Sequence, residues 1–113
     1  MRLGARVLVI AGHFFVEAEK RDAYVRALRD VVCHARAMPG CLDFAITADA
    51  LDPMRINNYE LWESEDDCDA FREAVSQPEF DVELFAVHMS RFDVIASSGT
   101  FDEASRVGDR RRN

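Results

Sequence analysis

The sequence is defined first by what it lacks. It has no glycine-rich phosphate loop, no G-x-G-x-x-G turn, no G-x-S-x-G elbow and no H-E-x-x-H pair. Phosphate-loop, dinucleotide, serine-hydrolase and zincin chemistry are therefore not indicated. Its three cysteines, Cys33, Cys41 and Cys68, form no C-x-x-C pair and no even framework. Reduced thiols in a cytoplasmic protein are the expectation, with no structural zinc and no disulfide scaffold. There is one tryptophan, and there are three prolines and five glycines. The apolar stretch Val7–Val16 is broken by Gly12 and His13 and is too short to span a bilayer. No membrane role is expected. Acidic residues outnumber basic ones 21 to 14, for a net charge of -7. Such a chain does not suit nucleic acid, whose phosphates need a basic patch. Arg106 and Arg110–Arg112 belong to a polar tail, residues 98–113, read as a solvated end. The domain is placed at residues 1–97.

What is present is 49% apolar and ordered by period. Residues 6–16 are rich in Val, Ile and Phe on both faces, which predicts a strand buried on both sides. From Glu19 to Met38 the pattern turns helical. Tyr24, Ala27, Leu28, Val31, Ala35 and Met38 make one stripe, and Pro39-Gly40 ends it. Residues 41–48 and 56–63 read as a hairpin across the Asp52-Pro53 turn, with Leu42, Phe44 and Ile46 on one face. Ser64 and Asp67 form a capping pair before a helix with Cys68, Phe71 and Val75 inward, stopped by Pro78. Residues 85–96 form a last strand.

The order β-α-β-β-α-β predicts a ferredoxin-like α+β sandwich. Its four-stranded antiparallel sheet has helices on one face and strands one and three at the centre. The uncovered face would be a large apolar surface, so a homodimer packed sheet to sheet is expected.

Third-strand period puts Asn58, Glu60 and Trp62 on one face, a candidate wall for a small aromatic substrate. The alternative is that Trp62 anchors the core and Glu60 pairs with an arginine. His13 and His88 sit in otherwise apolar strands. Each is either a satisfied buried histidine or a base for catalysis near neutral pH.

Pro39-Gly40-Cys41-Leu42 is followed by Asn58-Tyr59-Glu60-Leu61-Trp62-Glu63-Ser64-Glu65 ahead of a short helix. Together these blocks resemble the antibiotic biosynthesis monooxygenase domain across roughly residues 5–96. The resemblance implies a dimeric α+β barrel. It also implies cofactor-independent oxidation of a phenolic, hydroquinone or polycyclic aromatic substrate by molecular oxygen. The alternative is a non-enzymatic dimeric ligand-binding or regulatory domain. By this resemblance Asn58 and Trp62 are substrate-binding, Asn58 holding a ring oxygen and Trp62 forming a wall. His13 or His88 is the candidate base. The tyrosine and arginine that polyketide oxygenases of the family use fall near Cys68 and Glu83 and are not matched. The heme-degrading members need a histidine on the second helix. This chain has Phe71, Arg72 and Glu73 there and no histidine between residues 35 and 87.

Overall fold

The computed structural model describes residues 6–95. The expected 98–113 tail and the last residue of the predicted final strand lie outside them. The elements are β1 (Val7–Phe15), α1 (Ala18–Ala27), α2 (Arg29–Ala37), β2 (Cys41–Ala48), β3 (Arg55–Trp62), α3 (Glu65–Ala74) and β4 (Phe85–Val94). The strands form one antiparallel sheet in the order β2-β3-β1-β4. Strands β1 and β3 are central, as the right-handed crossover rule requires. This is the ferredoxin-like arrangement.

The expected single helix from Glu19 to Met38 is interrupted once. Leu28 has φ -80° and ψ 0°, and its N–H is shared between the Tyr24 and Val25 carbonyls. Val32 N–H still reaches Leu28 O at 3.0 Å. The rod therefore continues as α2 after one tightened turn. Its inward stripe holds: Tyr24, Leu28, Val31 and Ala35 are buried against the sheet. They pack with Leu8, Phe14, Phe44, Ile56 and Trp62, and α3 adds Cys68 and Phe71. Helix α3 opens on Ser64, whose hydroxyl accepts from Asp67 N–H at 3.1 Å. The expected reciprocal contact is made between side chains, with Ser64 Oγ donating to Asp67 Oδ2 at 2.9 Å. The helix ends at Ala74, before Pro78, because Val75 is already extended at ψ 140°.

Two local departures have simple causes. Leu42 does not share the inward face with Phe44. Cys41 pairs with Trp62 while Asp43 pairs with Leu61, so Leu42 is the extra residue of a bulge and is exposed. Gly40 has φ +84°, and a Cβ there would overlap the Asp67 carboxylate. The turn into β2 thus needs glycine for both backbone and space.

The helices cover one face of the sheet and stop short of its edge. Side chains from Phe85 to Asp93 on β4 are exposed in the single chain. Phe85, Val87, Met89 and Phe92 are among them. On the uncovered face, pairing register sets Val7, Val9, Ala11, His13 and Phe15 of β1 beside Tyr59 and Leu61 of β3 and Phe92 and Val94 of β4. No helix among the described residues is long and apolar enough to cross a membrane.

The β2–β3 connection is tied by one carboxylate. Asp49 accepts from Leu51 N–H, Asp52 N–H and Asn57 Nδ2 at 2.9–3.0 Å, with Arg55 Nε 3.6 Å away. The Asn57 amide, then the two backbone N–H groups and Arg55, pull its pKa down from 3.8 to about 2. A carboxyl depressed on folding stabilises the fold above its unfolded value and loses that contribution as pH falls through about 2. Asp49→Ala should therefore lower the urea midpoint at pH 7, and the gap from the parent should shrink between pH 4 and 2. Unfolding curves at pH 7, 4 and 2 measure this.

Candidate active site

Strand β3 builds the site by alternation. Ile56, Asn58, Glu60 and Trp62 all point into the helix-covered side and are all buried. Glu60 is the centre of the group, at 3% exposure. Its Oε1 accepts from Trp62 Nε1 at 3.0 Å and Arg72 Nη2 at 2.8 Å. Its Oε2 accepts from Asn58 Nδ2 at 3.1 Å and from the same Arg72 nitrogen at 2.8 Å. A buried carboxylate survives only with such donors, and here a strand neighbour on each side and one helix residue supply them.

Trp62 is fully buried, edge-on to Phe44 at 6.4 Å and tilted against Phe71 at 5.4 Å. Its N–H is spent on Glu60. The indole thus stands behind the carboxylate as a core anchor, and it is not among the residues lining the adjoining cavity.

That cavity measures about 240 Å³ and lies between sheet and helices. Phe14, Leu28, Val31, Phe44, Ile46 and Phe71 give it apolar walls. Asn58, Glu60, Arg72 and Tyr24 give it polar groups. The segment between α3 and β4 closes one side with Gln77 and Leu84. It is held down by Lys20 Nζ donating to Asp81 O at 2.9 Å and by Phe80 against the Tyr24 ring at 5.4 Å.

Three of the polar groups have unused capacity among the described residues. The Asn58 side-chain oxygen accepts no hydrogen bond there, and Asn58 is only 9% exposed. Arg72 uses Nη2 on Glu60 and leaves Nε and Nη1 without a side-chain or backbone acceptor. The Tyr24 hydroxyl, on a residue 7% exposed, makes no hydrogen bond there either. Burial pushes the Tyr24 phenol above its usual pKa, so it stays protonated and can donate.

The four sequence candidates are divided between the two sides of the sheet. Asn58 reaches the cavity and Trp62 backs it. His13 and His88 lie on the opposite, uncovered face, paired across β1 and β4. Neither reaches the Asn58 cavity within the chain, because odd and even positions of a strand point to opposite faces. Within the chain, then, the two histidines and Asn58 do not share one site. Sequence reasoning missed Tyr24 and Arg72. Arg72 follows the inward Phe71 by one position, at the margin of the buried helix face, where a long side chain can reach back. That placement was a usable signal.

A ferredoxin-like sandwich with a mainly apolar cavity between sheet and helices defines the α+β class of the fold. Within that class the chain belongs to the antibiotic biosynthesis monooxygenase family, whose sequence model matches residues 7–80. Among solved structures, a Chloroflexus aurantiacus protein described as a candidate member of that family is 22% identical. It covers 82% of this chain and 95% of its own, with a TM-score of 0.61. A Nitrosomonas europaea protein described in the same way is 22% identical over 90% of this chain and 97% of its own, with a TM-score of 0.53. A heme-degrading protein of Mycobacterium tuberculosis, in heme-free form, is 18% identical over 84% and 98%, with a TM-score of 0.61. At these identities the likeness is one of fold. None of the curated proteins matches the sequence.

The Glu60–Arg72 pair should behave as one energetic unit. Arg72→Ala leaves the buried carboxylate with only the Asn58 and Trp62 donors, and should cost about 1–3 kcal/mol. Glu60→Gln combined with Arg72→Ala should cost less than the sum of the two single changes. Chemical denaturation of the four proteins in the cycle reads the coupling.

Proposed function

We propose that the protein is a cofactor-independent monooxygenase acting on a phenol or hydroquinone of one or two rings. The observation that carries this reading is the cavity: apolar walls sized for a flat ring, with Asn58, Tyr24 and Arg72 offering free hydrogen-bonding capacity at the polar part of its lining. Its 240 Å³ falls below the range of roughly 300–1,000 Å³ that holds drug-sized ligands. Heme and tetracyclic substrates are disfavoured on size. Heme is further disfavoured because α3 carries no histidine.

The chemistry follows from what oxygen requires. Ground-state oxygen is a triplet and reacts slowly with closed-shell molecules, but a phenolate can give it one electron. Arg72, already held by Glu60, would stabilise the phenolate oxygen, and the free Asn58 oxygen would accept from a second ring hydroxyl. The Arg72 contact favours the anion over the neutral phenol, so it lowers the pKa of the bound substrate. Tyr24, kept protonated by burial, would donate to the developing peroxide oxygen. One oxygen atom enters a ring carbon and the other leaves as water. The phenol becomes a quinone, and the substrate supplies all four electrons. The apolar walls limit the water that reaches the reactive intermediate.

A binding-only role is the second reading. It is favoured by the absence, among the described cavity residues, of a free carboxylate or imidazole to serve as base. Oxygen-electrode assays with a panel of phenols, hydroquinones and naphthols separate the two. Turnover should appear with one- or two-ring substrates, and Asn58→Ala and Tyr24→Phe should each lower kcat/KM by about 10–100-fold. Saturable ligand binding without oxygen uptake establishes the second reading instead.

We also propose that two chains pack through the uncovered sheet face. The support is the apolar row Val9, Phe15, Leu61 and Phe92 on a face that no helix covers. Light scattering at micromolar concentration should give about twice the chain mass of 12.8 kDa. A particle of one chain mass overturns it.

A further inference from the structure

His13 and His88 are not used by the cavity, yet they face each other directly. They are cross-strand partners on the uncovered side of β1 and β4, with ring centroids 5.2 Å apart and planes inclined by 38°. We propose that this pair is a binding site for a divalent transition-metal ion of the zinc, nickel or copper type. Imidazole is the common protein ligand for such ions.

The geometry suits one shared ion. A tetrahedral ion holds imidazole nitrogens at about 2.0–2.1 Å, which puts two ring centroids on one ion roughly 5 Å apart. The observed centroid separation of 5.2 Å matches that value. The backbone beneath is held close. At Gly12, next to His13, an added Cβ would overlap the His88 carbonyl oxygen, so β1 and β4 approach here as only glycine allows. Phe15, edge-on to the His13 ring at 5.5 Å, flanks the site and limits its rotamers. Two imidazoles leave two positions of the ion for further ligands.

Arg55 lies on the same face, but Asn57 Oδ1 at 2.7 Å and Asp49 at 3.6 Å hold it. Both ligands come from one chain. The site lies on the other side of the sheet from the cavity, so it does not depend on the oxygenase reading, but it shares the face proposed to pack against a second chain.

Titration of the whole chain with Zn²⁺ against a chromogenic chelator tests it. One ion per chain should bind, and His13→Asn and His88→Asn should each weaken binding at least tenfold. His34→Asn and Cys33→Ser should leave binding unchanged. Zn²⁺ should also raise the thermal midpoint of the parent and not of the two strand variants, whose midpoints without metal check that they fold. Binding that survives either strand variant, or that is lost in Cys33→Ser, overturns the proposal.

Discussion

A carboxylate at 3% exposure must be paid for with hydrogen bonds, and the arrangement around Glu60 follows from that requirement. Asn58 and Trp62 stand two residues to either side on the same strand face, so β3 supplies two donors by period alone. The third donor has to come from elsewhere. Arg72 brings it from α3, and its reach ties that helix to the sheet. With the three donors engaged, Trp62 is locked into the aromatic cluster with Phe44 and Phe71. The same lock leaves the outer nitrogens of Arg72 and the oxygen of Asn58 at the edge of the cavity. Fold-bracing and cavity-facing atoms thus belong to the same residues.

The sheet divides the chemistry of the chain in two. One face is closed by helices and holds the cavity. The other is open, mostly apolar, and carries the His13–His88 pair and the Asp49, Asn57 and Arg55 group. In a strand, adjacent residues differ by a full reversal of direction. Gly12 and His13 are neighbours in sequence and act on opposite sides of the molecule. This is why the family's motif on β3 and the histidines of β1 and β4 cannot be merged into one site within a chain, although both looked like catalytic candidates.

Much of this was legible in the sequence. The stripe from Tyr24 to Ala35, the Ser64 cap, the Pro39-Gly40 stop and the shared face of Asn58, Glu60 and Trp62 all follow from periods and local hydrogen bonding. These depend on residues within a few positions of one another. The strand order was also accessible, because crossover handedness is a general rule. The Leu42 bulge and the Leu28 interruption were not. Each is a local compromise with packing partners far along the chain.

The sequence by itself determined the ferredoxin-like topology, the family and the inward direction of Asn58, Glu60 and Trp62, since period and hydropathy act locally. Only the tertiary structure decided what those residues do. Whether Trp62 touches a ligand or anchors the core depends on where Arg72, Phe71 and Phe44 come to rest. Whether His13 meets His88 or Asn58 depends on strand register between segments about seventy-five residues apart. Pairing register is set by the whole hydrogen-bonded ladder together with burial of one face, so it is a property of the assembled sheet and not of any single segment.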